Sequence, residues 1–223
     1  MPQLPISNST LPAEPNLQLA VWEMSETEDE LRALLQSAGG CGQGADAQQS
    51  ATRRRERLAV RLLLAQEDGP AARIAYDAEG RPALRSAHAR LVSISHSRQF
   101  AALLLAPSTT SLRGIGIDIE AWSDRAWRVR EKFLSPWEQT LLMSMPLPPQ
   151  QEAMVLWTCK EAAFKAFAPD GPAVVTEIEV KSCDQLATTE NILQFHARYA
   201  GRSAALRTLI HEAFALTIAW ERA

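Results

Sequence analysis

The chain has 223 residues, a formal net charge of -3, and 46% hydrophobic and 22% charged residues. This length suits one large domain or two of about 100 residues, each able to bury a core. No stretch approaches the roughly 20 apolar residues that span a bilayer, and the first residues lack the basic and apolar segments of a secretory signal. The small net charge gives no general reason to expect a nucleic-acid partner. Composition therefore predicts a globular protein without a membrane span, located in the cytoplasm.

The three cysteines are widely scattered and form no CxxC pair: Cys41, Cys159 and Cys183. An odd number at this spacing argues against a disulfide framework and against a structural zinc site. We expect three reduced thiols.

The N-terminal half begins with a tail rich in proline and serine, followed by a Gly-rich stretch at 39–44. That stretch lacks the GK[ST] of a phosphate-binding loop, so we interpret it as a flexible loop. Apolar residues then recur at helical spacing from about Ser50 to Gln66, and Gly69-Pro70 ends the predicted helix. Its other faces are basic and suit an anionic ligand: Arg53, Arg54, Arg55, Arg57 and Arg61.

Strands are predicted at Leu91 to Ser95, Phe100 to Ala106 and Gly114 to Glu120. In the third strand the alternation puts three isoleucines on one face and Gly116, Asp118 and Glu120 on the other. Two carboxylates therefore leave the same side of one strand.

The C-terminal half continues with a helix that begins at Ser135-Pro136, carries a capping box and ends near Pro146. A second helix runs from about Gln151 to Ala168, before Pro169 and Gly171. Three more strands are predicted at Val174 to Lys181, Ile192 to Tyr199 and Phe214 to Trp220. Helices and strands mixed in both halves favour an α+β fold with a boundary near residues 107–114.

The carboxylates of Asp118 and Glu120 have two interpretations. They could simply be acids on a half-exposed strand. The flanking isoleucines would, however, fix the strand in a core and present both carboxylates rigidly, as a hard cation such as magnesium requires.

The second charged group lies on the helix of Trp157 to Lys165. Glu161 and Lys165 could be an exposed i,i+4 pair worth about 0.2–0.5 kcal/mol. Lys160, however, falls within the apolar stripe, so its ammonium must reach solvent or a buried anion. A diphosphate with a divalent cation would supply one.

The third group is Ser93-Ile94-Ser95-His96-Ser97 at the end of a strand. Such residues could only satisfy a turn, but hydroxyls and imidazole also donate hydrogen bonds to phosphate. Arg81 in Gly80-Arg81-Pro82 adds a planar guanidinium that suits the same ligand. No supporting context for a serine nucleophile is found.

In their order along the chain, these motifs resemble the surfactin-synthetase-activator type of 4'-phosphopantetheinyl transferase. The resemblance covers about residues 50 to 170 and depends on six segments: RRRERLAVR at 53–61, GRP at 80–82, SISHS at 93–97, GIGIDIE at 114–120, FLSPWE at 133–138 and WTCKEAAFK at 157–165. The segment before residue 50 shows no match.

The resemblance implies two similar α+β halves about a pseudo-twofold axis, with coenzyme A in the cleft between them. The expected domains are 1–113, with basic elements that bind coenzyme A, and 114–223, with the acidic metal site and the catalytic helix. The expected reaction moves 4'-phosphopantetheine onto a serine of an apo acyl, polyketide or peptidyl carrier protein, and releases adenosine 3',5'-bisphosphate. The expected partners are the carrier protein and coenzyme A, and the chain is expected to be a monomer.

The resemblance also assigns roles to residues. Asp118, Glu120 and Glu161 match the acids around magnesium, and Glu161 is the candidate to take the serine proton. Lys165 matches the lysine on the diphosphate. The remaining matches are contacts to coenzyme A, with Ser95 and His96 on the phosphate and pantetheine side and three arginines on the nucleotide end: Arg53, Arg61 and Arg81. Glu138 also matches a glutamate of the family, but its capping box accounts for it.

Two other functions are compatible with parts of the pattern. A metal-dependent nuclease also combines two acids with a lysine, but its second acid and lysine lie one residue apart on a strand, whereas Glu161 and Lys165 lie four apart on a helix. A non-catalytic module that binds a nucleotide or a carrier could use the same scaffold. The carrier protein and its pathway are left open.

Overall fold

The computed structural model describes residues 6–7, 17–40, 49–88, 90–107, 109–142, 145, 147–168, 170–182 and 191–223. The chain forms two compact units, residues 1–110 and 111–223. Both combine helices with antiparallel sheet, so the predicted α+β class is confirmed. The pseudo-twofold relation between the halves stays a prediction.

The N-terminal unit contains a four-stranded antiparallel sheet in the order β1-β2-β6-β5 and a separate β3-β4 hairpin. Its strands are β1 (Ile6–Ser7), β2 (Gln18–Glu23), β3 (Arg73–Tyr76), β4 (Pro82–Arg85), β5 (Arg90–His96) and β6 (Phe100–Pro107). Its helices are α1 (Glu28–Ser37) and α2 (Ala51–Glu67).

The helix α2 forms for local reasons that the sequence contains. Its N-cap residue Ser50 accepts a hydrogen bond from the backbone N–H of Arg53, and the helix ends just before Gly69-Pro70. Its apolar face, which includes Leu58 and Leu62, is buried in the core of the unit. The basic side chains of α2 therefore lie on the faces that this core leaves open.

The C-terminal unit contains a five-stranded antiparallel sheet in the order β7-β11-β10-β9-β8. Its strands are β7 (Leu112–Ala121), β8 (Glu179–Ser182), β9 (Ile192–Tyr199), β10 (Arg202–Ile210) and β11 (Phe214–Arg222). Its helices are α3 (Arg125–Val129), α4 (Pro136–Leu141) and α5 (Pro149–Ala166), with short 3-10 turns at Arg130–Lys132 and Val175–Glu177. The long helix α5 packs against the sheet, mainly on β7 and β11.

The structure changes several predicted elements. The helix α4 ends at Leu141, earlier than predicted, and the segment predicted as one strand at 174–181 is a 3-10 turn followed by β8. The strand β10 was not predicted, because two of its nine residues are alanines, which have low strand propensity. The helix α1, the strand β2 and the β3-β4 hairpin were also missed.

Some predictions fall outside the described residues. These are Cys41, Cys183, Pro146, Pro169 and most of the Gly-rich stretch. Within the described part of the chain, Cys159 is a buried free thiol, and no helix is long and apolar enough to cross a membrane.

Candidate functional site

Two glycines of β7 allow the backbone of α5 to lie directly against the strand. A Cβ atom at Gly116 would lie 1.9 Å from the carbonyl oxygen of Ala162, and one at Gly114 would lie 2.0 Å from that of Ala166. Real Cβ atoms essentially never approach this closely, so only glycine fits at these positions. The two glycines of the GIGIDIE motif therefore determine how close the helix comes to the strand.

This contact brings the carboxylate of Asp118 to the lysine at the end of α5. The ammonium of Lys165 donates to Oδ1 of Asp118 at 3.0 Å and to the carbonyl oxygen of Ile117 at 2.7 Å. Asp118 is buried, while Lys165 keeps 29% of its side chain exposed. Lys165 is thus held at the acidic group, where its charge can also reach an external anion.

The negative charge of Asp118 acts on the carboxyl groups of Glu120 and Glu161. Burial and the negative charge of Asp118 raise the pKa of Glu120 to about 7, while Arg125 and Lys165 act in the opposite direction. Burial, and again the charge of Asp118, raise the pKa of Glu161, which Lys165 partly offsets. The three carboxyl groups therefore form one electrostatically coupled group that favours bound protons or a bound cation.

The donor atoms of this group fit magnesium. Carboxylate oxygens are the ligands that this hard cation takes, and a cation would relieve the repulsion that raises the two pKa values. Within the ranges that the structure describes, however, no three His, Cys, Asp or Glu side chains converge closely enough to form a metal centre. The carboxylates are neighbours and do not form a finished coordination shell.

The structure corrects the interpretation of Lys160 as a lysine for a diphosphate. Lys160 and Glu138 form an ion pair of 2.9 Å in which both side chains are 0% exposed. The same ammonium donates to the carbonyl oxygen of Ile178 at 2.7 Å. Of the two predicted alternatives, solvent and a buried anion, the structure therefore shows the buried anion, and it is a protein carboxylate.

The capping box accounts for only part of the role of Glu138. Its Oε2 accepts from the backbone N–H of Ser135 at 2.7 Å, as predicted, and also binds Lys160. Its Oε1 accepts from the backbone N–H of Val180 at 2.8 Å. One carboxylate thus joins the start of α4, the strand β8 and the helix α5.

A second buried network joins α5 to the sheet next to the acids. Thr158 donates to the carbonyl oxygen of Val155 at 2.9 Å, so its hydroxyl accepts from Thr217 at 2.8 Å. Thr217 in turn accepts from Thr208 at 2.8 Å, and Thr208 accepts from the thiol of Cys159 at 3.4 Å. Burial raises the pKa of Cys159 to about 12, so the thiol keeps its proton and all donors are used.

In the N-terminal unit, two of the predicted ligand-binding residues meet. Nη1 of Arg53, on α2, lies 3.0 Å from Nε2 of His96, at the end of β5. The buried carboxylate of Glu56 contacts both, at 3.3 Å from Arg53 and 3.1 Å from Nδ1 of His96. Sequence analysis did not identify Glu56, although its i,i+3 spacing from Arg53 was a usable signal.

The other basic residues of this unit divide into two groups. Arg54 binds Glu28 at the start of α1 at 2.8 Å, and Arg55 donates to the carbonyl oxygens of Met24 and Glu26 just before it. The remaining predicted contacts lie elsewhere in the unit: Arg61 two turns after Arg53, Ser95 buried on β5, and Arg81 at the β3-β4 turn.

Comparison with known proteins finds one similarity, which lies in the C-terminal unit. Residues 114–219 match the family model of the 4'-phosphopantetheinyl transferase superfamily. No curated protein matches the chain significantly. The matched region contains the glycine strand, the coupled acids and the helix with Lys165, and it extends to β11. Over residues 114–219, just under half of its length, the chain is therefore similar to the 4'-phosphopantetheinyl transferase superfamily.

Proposed function

We propose that the protein transfers the 4'-phosphopantetheine moiety of coenzyme A to a serine of an apo carrier protein. One observation carries this proposal: the close packing of α5 on the glycines of β7, which holds Lys165 against Asp118 in a region that matches the superfamily. The surfactin-activator type of the family, a cytoplasmic location and a monomeric state belong to the same proposal.

Three carboxylates would hold the magnesium ion: Asp118, Glu120 and Glu161. When bound, magnesium supplies charge neutralisation on the diphosphate. The raised pKa values of Glu120 and Glu161 support this assignment, because a carboxyl group that resists ionisation gains most from a nearby cation.

The proposed reaction needs a base that takes the serine proton, a phosphorus atom that the serine oxygen attacks, and a leaving group. The serine hydroxyl oxygen attacks the phosphorus that carries pantetheine, and its proton passes to the carboxylate of Glu161, directly or through water. The new serine–phosphorus bond replaces the bond to the bridging diphosphate oxygen. The electrons of that bond leave with adenosine 3',5'-bisphosphate, and the ammonium of Lys165 offsets the developing charge.

The basic residues of the N-terminal unit would bind coenzyme A. In the proposal, His96 and Ser95 contact the phosphate and pantetheine side, and the arginines 53, 61 and 81 contact the nucleotide end. The exposed guanidinium of Arg53 beside His96 supports this role, because this arrangement can donate several hydrogen bonds to one phosphate.

The direct test is incubation with coenzyme A, magnesium and a panel of apo carrier proteins, followed by mass spectrometry of the intact carriers. We expect at least one carrier to gain the mass of phosphopantetheine. Coenzyme A binding without a mass gain on any carrier would favour a non-catalytic module. Magnesium-dependent cleavage of DNA without coenzyme A binding would favour a nuclease, and either result would refute the proposal.

The metal assignment has a separate test in Asp118→Ala. We expect the rate of transfer to fall by about a thousandfold or more, because the variant removes one of the three carboxylates proposed to hold magnesium. The circular dichroism spectrum should be unchanged. The control is Asp124→Ala, an exposed acid of the same unit that pairs with Arg128. Retained activity in Asp118→Ala would refute the metal assignment.

A further inference from the structure

We propose that Glu56 is a positioning residue that holds Arg53 and His96 together for a phosphate group of the ligand. The inference rests on the proposed function, since it takes coenzyme A as that ligand. Glu56 itself would not touch the ligand. It would act through the two side chains that it contacts.

Glu56 contacts both Arg53 and His96. Its Oε2 atom lies 3.3 Å from Nη1 of Arg53 and 3.1 Å from Nδ1 of His96. The carboxylate is placed to accept a proton from Nδ1 of His96, and Nη1 of Arg53 lies beside the same imidazole, 3.0 Å from Nε2 and 3.4 Å from Nδ1. The orientations of the imidazole and the guanidinium are thus fixed by one buried acid.

Exposure separates the three residues by role. The side chain of Glu56 is 9% exposed, whereas those of Arg53 and His96 are 54% and 24% exposed. An anion from solvent can reach the arginine and the imidazole, but it meets little of the carboxylate. This arrangement fits two contact residues with one supporting residue behind them.

The start of α2 has the charge pattern of an anion site. The first turn of α1 contains the acids 28 to 30, which offset the positive end of the helix dipole. The first turn of α2 contains no acid and instead carries Arg53 and Arg54. Both arginines have a carboxylate partner, but Arg53 is 54% exposed with Glu56 buried behind it, whereas Arg54 is 27% exposed, so Arg53 is the cation more open to an anion.

Positioning and simple repulsion predict opposite results when Glu56 is removed. A carboxylate that only repelled an anionic ligand would weaken binding, so its loss would tighten binding. A carboxylate that orders two donors loses that order when it is replaced, so binding becomes weaker. The sign of the change therefore decides the question.

The experiment is calorimetric titration of the full chain with coenzyme A, without carrier protein. We expect Glu56→Ala to bind on the order of tenfold more weakly, the size typical of coupled side chains, and Glu56→Gln to fall between it and wild type. The control Glu28→Gln, which removes a similar acid–arginine pair, should bind within about twofold of wild type. In transfer assays, KM for coenzyme A should rise while kcat changes little.

A double-mutant cycle separates positioning from a structural role. In the background Arg53→Ala with His96→Ala, replacement of Glu56 should no longer weaken binding. A persisting effect there, or equal or tighter binding by Glu56→Ala and Glu56→Gln in the native background, would overturn the inference while the proposed function stands. If wild type itself bound no coenzyme A, both would fail. Comparison with 3'-dephospho-coenzyme A would show which phosphate the pair contacts.

Discussion

The helices α2 and α5 each pack on an antiparallel sheet and carry charge, but they present it differently. On α2, the cations lie at the start and on open faces, and Arg53 is more than half exposed. On α5, Lys160 and Glu152 are buried, Lys165 donates to the strand β7, and the carboxyl group of Glu161 interacts with the charges of Asp118 and Lys165. The apolar face of α2 packs against apolar side chains of the core, whereas the backbone of α5 also packs closely against the two glycines of β7.

Under the proposed function, this difference separates the residues that bind coenzyme A from those that carry out the transfer. Exposed cations on a helix surface can bind a phosphorylated ligand and tolerate small shifts, because charge attraction changes slowly with distance. Carboxylates that must share a cation and accept a proton need fixed positions within fractions of an ångström. The buried ion pair, the threonine network and the two glycines all constrain α5, and these constraints can be removed one at a time.

The largest stability effect is expected from Lys160→Met. The variant leaves the carboxylate of Glu138 buried without its ammonium, and breaking a buried ion pair costs about 3–5 kcal/mol. The free energy of unfolding, measured by urea denaturation, should fall by this amount. Replacement of both partners by Lys160→Met with Glu138→Gln should recover part of the loss, because no unpaired charge then stays buried.

The matched control for the buried pair of Lys160 and Glu138 is an exposed ion pair. Lys181 and Glu179 lie 3.4 Å apart in the same unit with side chains 42% and 62% exposed. Lys181→Met should change the free energy of unfolding by less than about 1 kcal/mol, because solvent screens such pairs. Equal losses in Lys160→Met and Lys181→Met would contradict the structural role of the buried pair.

A smaller loss of stability is expected from Gly116→Ala. The added methyl group would lie 1.9 Å from the carbonyl oxygen of Ala162, so α5 must move away from β7. Overpacking of this kind costs about 1–3 kcal/mol. Displacement of Lys165 by about 1 Å can cost on the order of a hundredfold in rate, so transfer should fall more than stability.

The free energy of unfolding and the rate of transfer should both be measured for this variant under conditions where it is fully folded. The control is Ser203→Ala on the exposed side of β10. A Gly116→Ala protein with wild-type transfer would show that the close approach of α5 does not determine the site geometry.

The sequence was sufficient where local chemistry determines structure. The helix from about Ser50, the isoleucine alternation of β7 and the capping box at Ser135 each involve residues close in the chain, and all three were predicted correctly. The face shared by Gly116 and Asp118 followed from the same alternation.

Long-range contacts could not be predicted in the same way. The sequence predicted that Lys160 reaches either solvent or a buried anion. It did not identify the partner Glu138, which lies 22 positions earlier and which was interpreted only as a capping residue. Likewise, the contact of Glu56 with His96 joins α2 to β5 across 40 residues. Such pairs depend on how helices pack on a sheet, which periodicity alone does not specify.

The smallest expected effect concerns pH and the acid at the start of α5. Glu152 is buried, its Oε2 has no hydrogen-bond partner among the described residues, and burial raises its pKa to about 7. Between pH 4.5 and 7 the folded protein keeps a proton that the unfolded chain releases, so this group lowers the free energy of unfolding as pH rises. Glu120 acts in the same direction.

Between pH 5 and pH 8, the free energy of unfolding should therefore fall less in Glu152→Gln than in wild type. The fall that Glu120 causes should be the same in both proteins. Urea denaturation at several pH values measures the difference between the two curves. Glu212→Gln, at an exposed turn, controls for the loss of one carboxylate in this unit. Parallel curves for wild type and Glu152→Gln would mean that the carboxyl of Glu152 ionises in the folded protein without cost, and that the start of α5 is open to water.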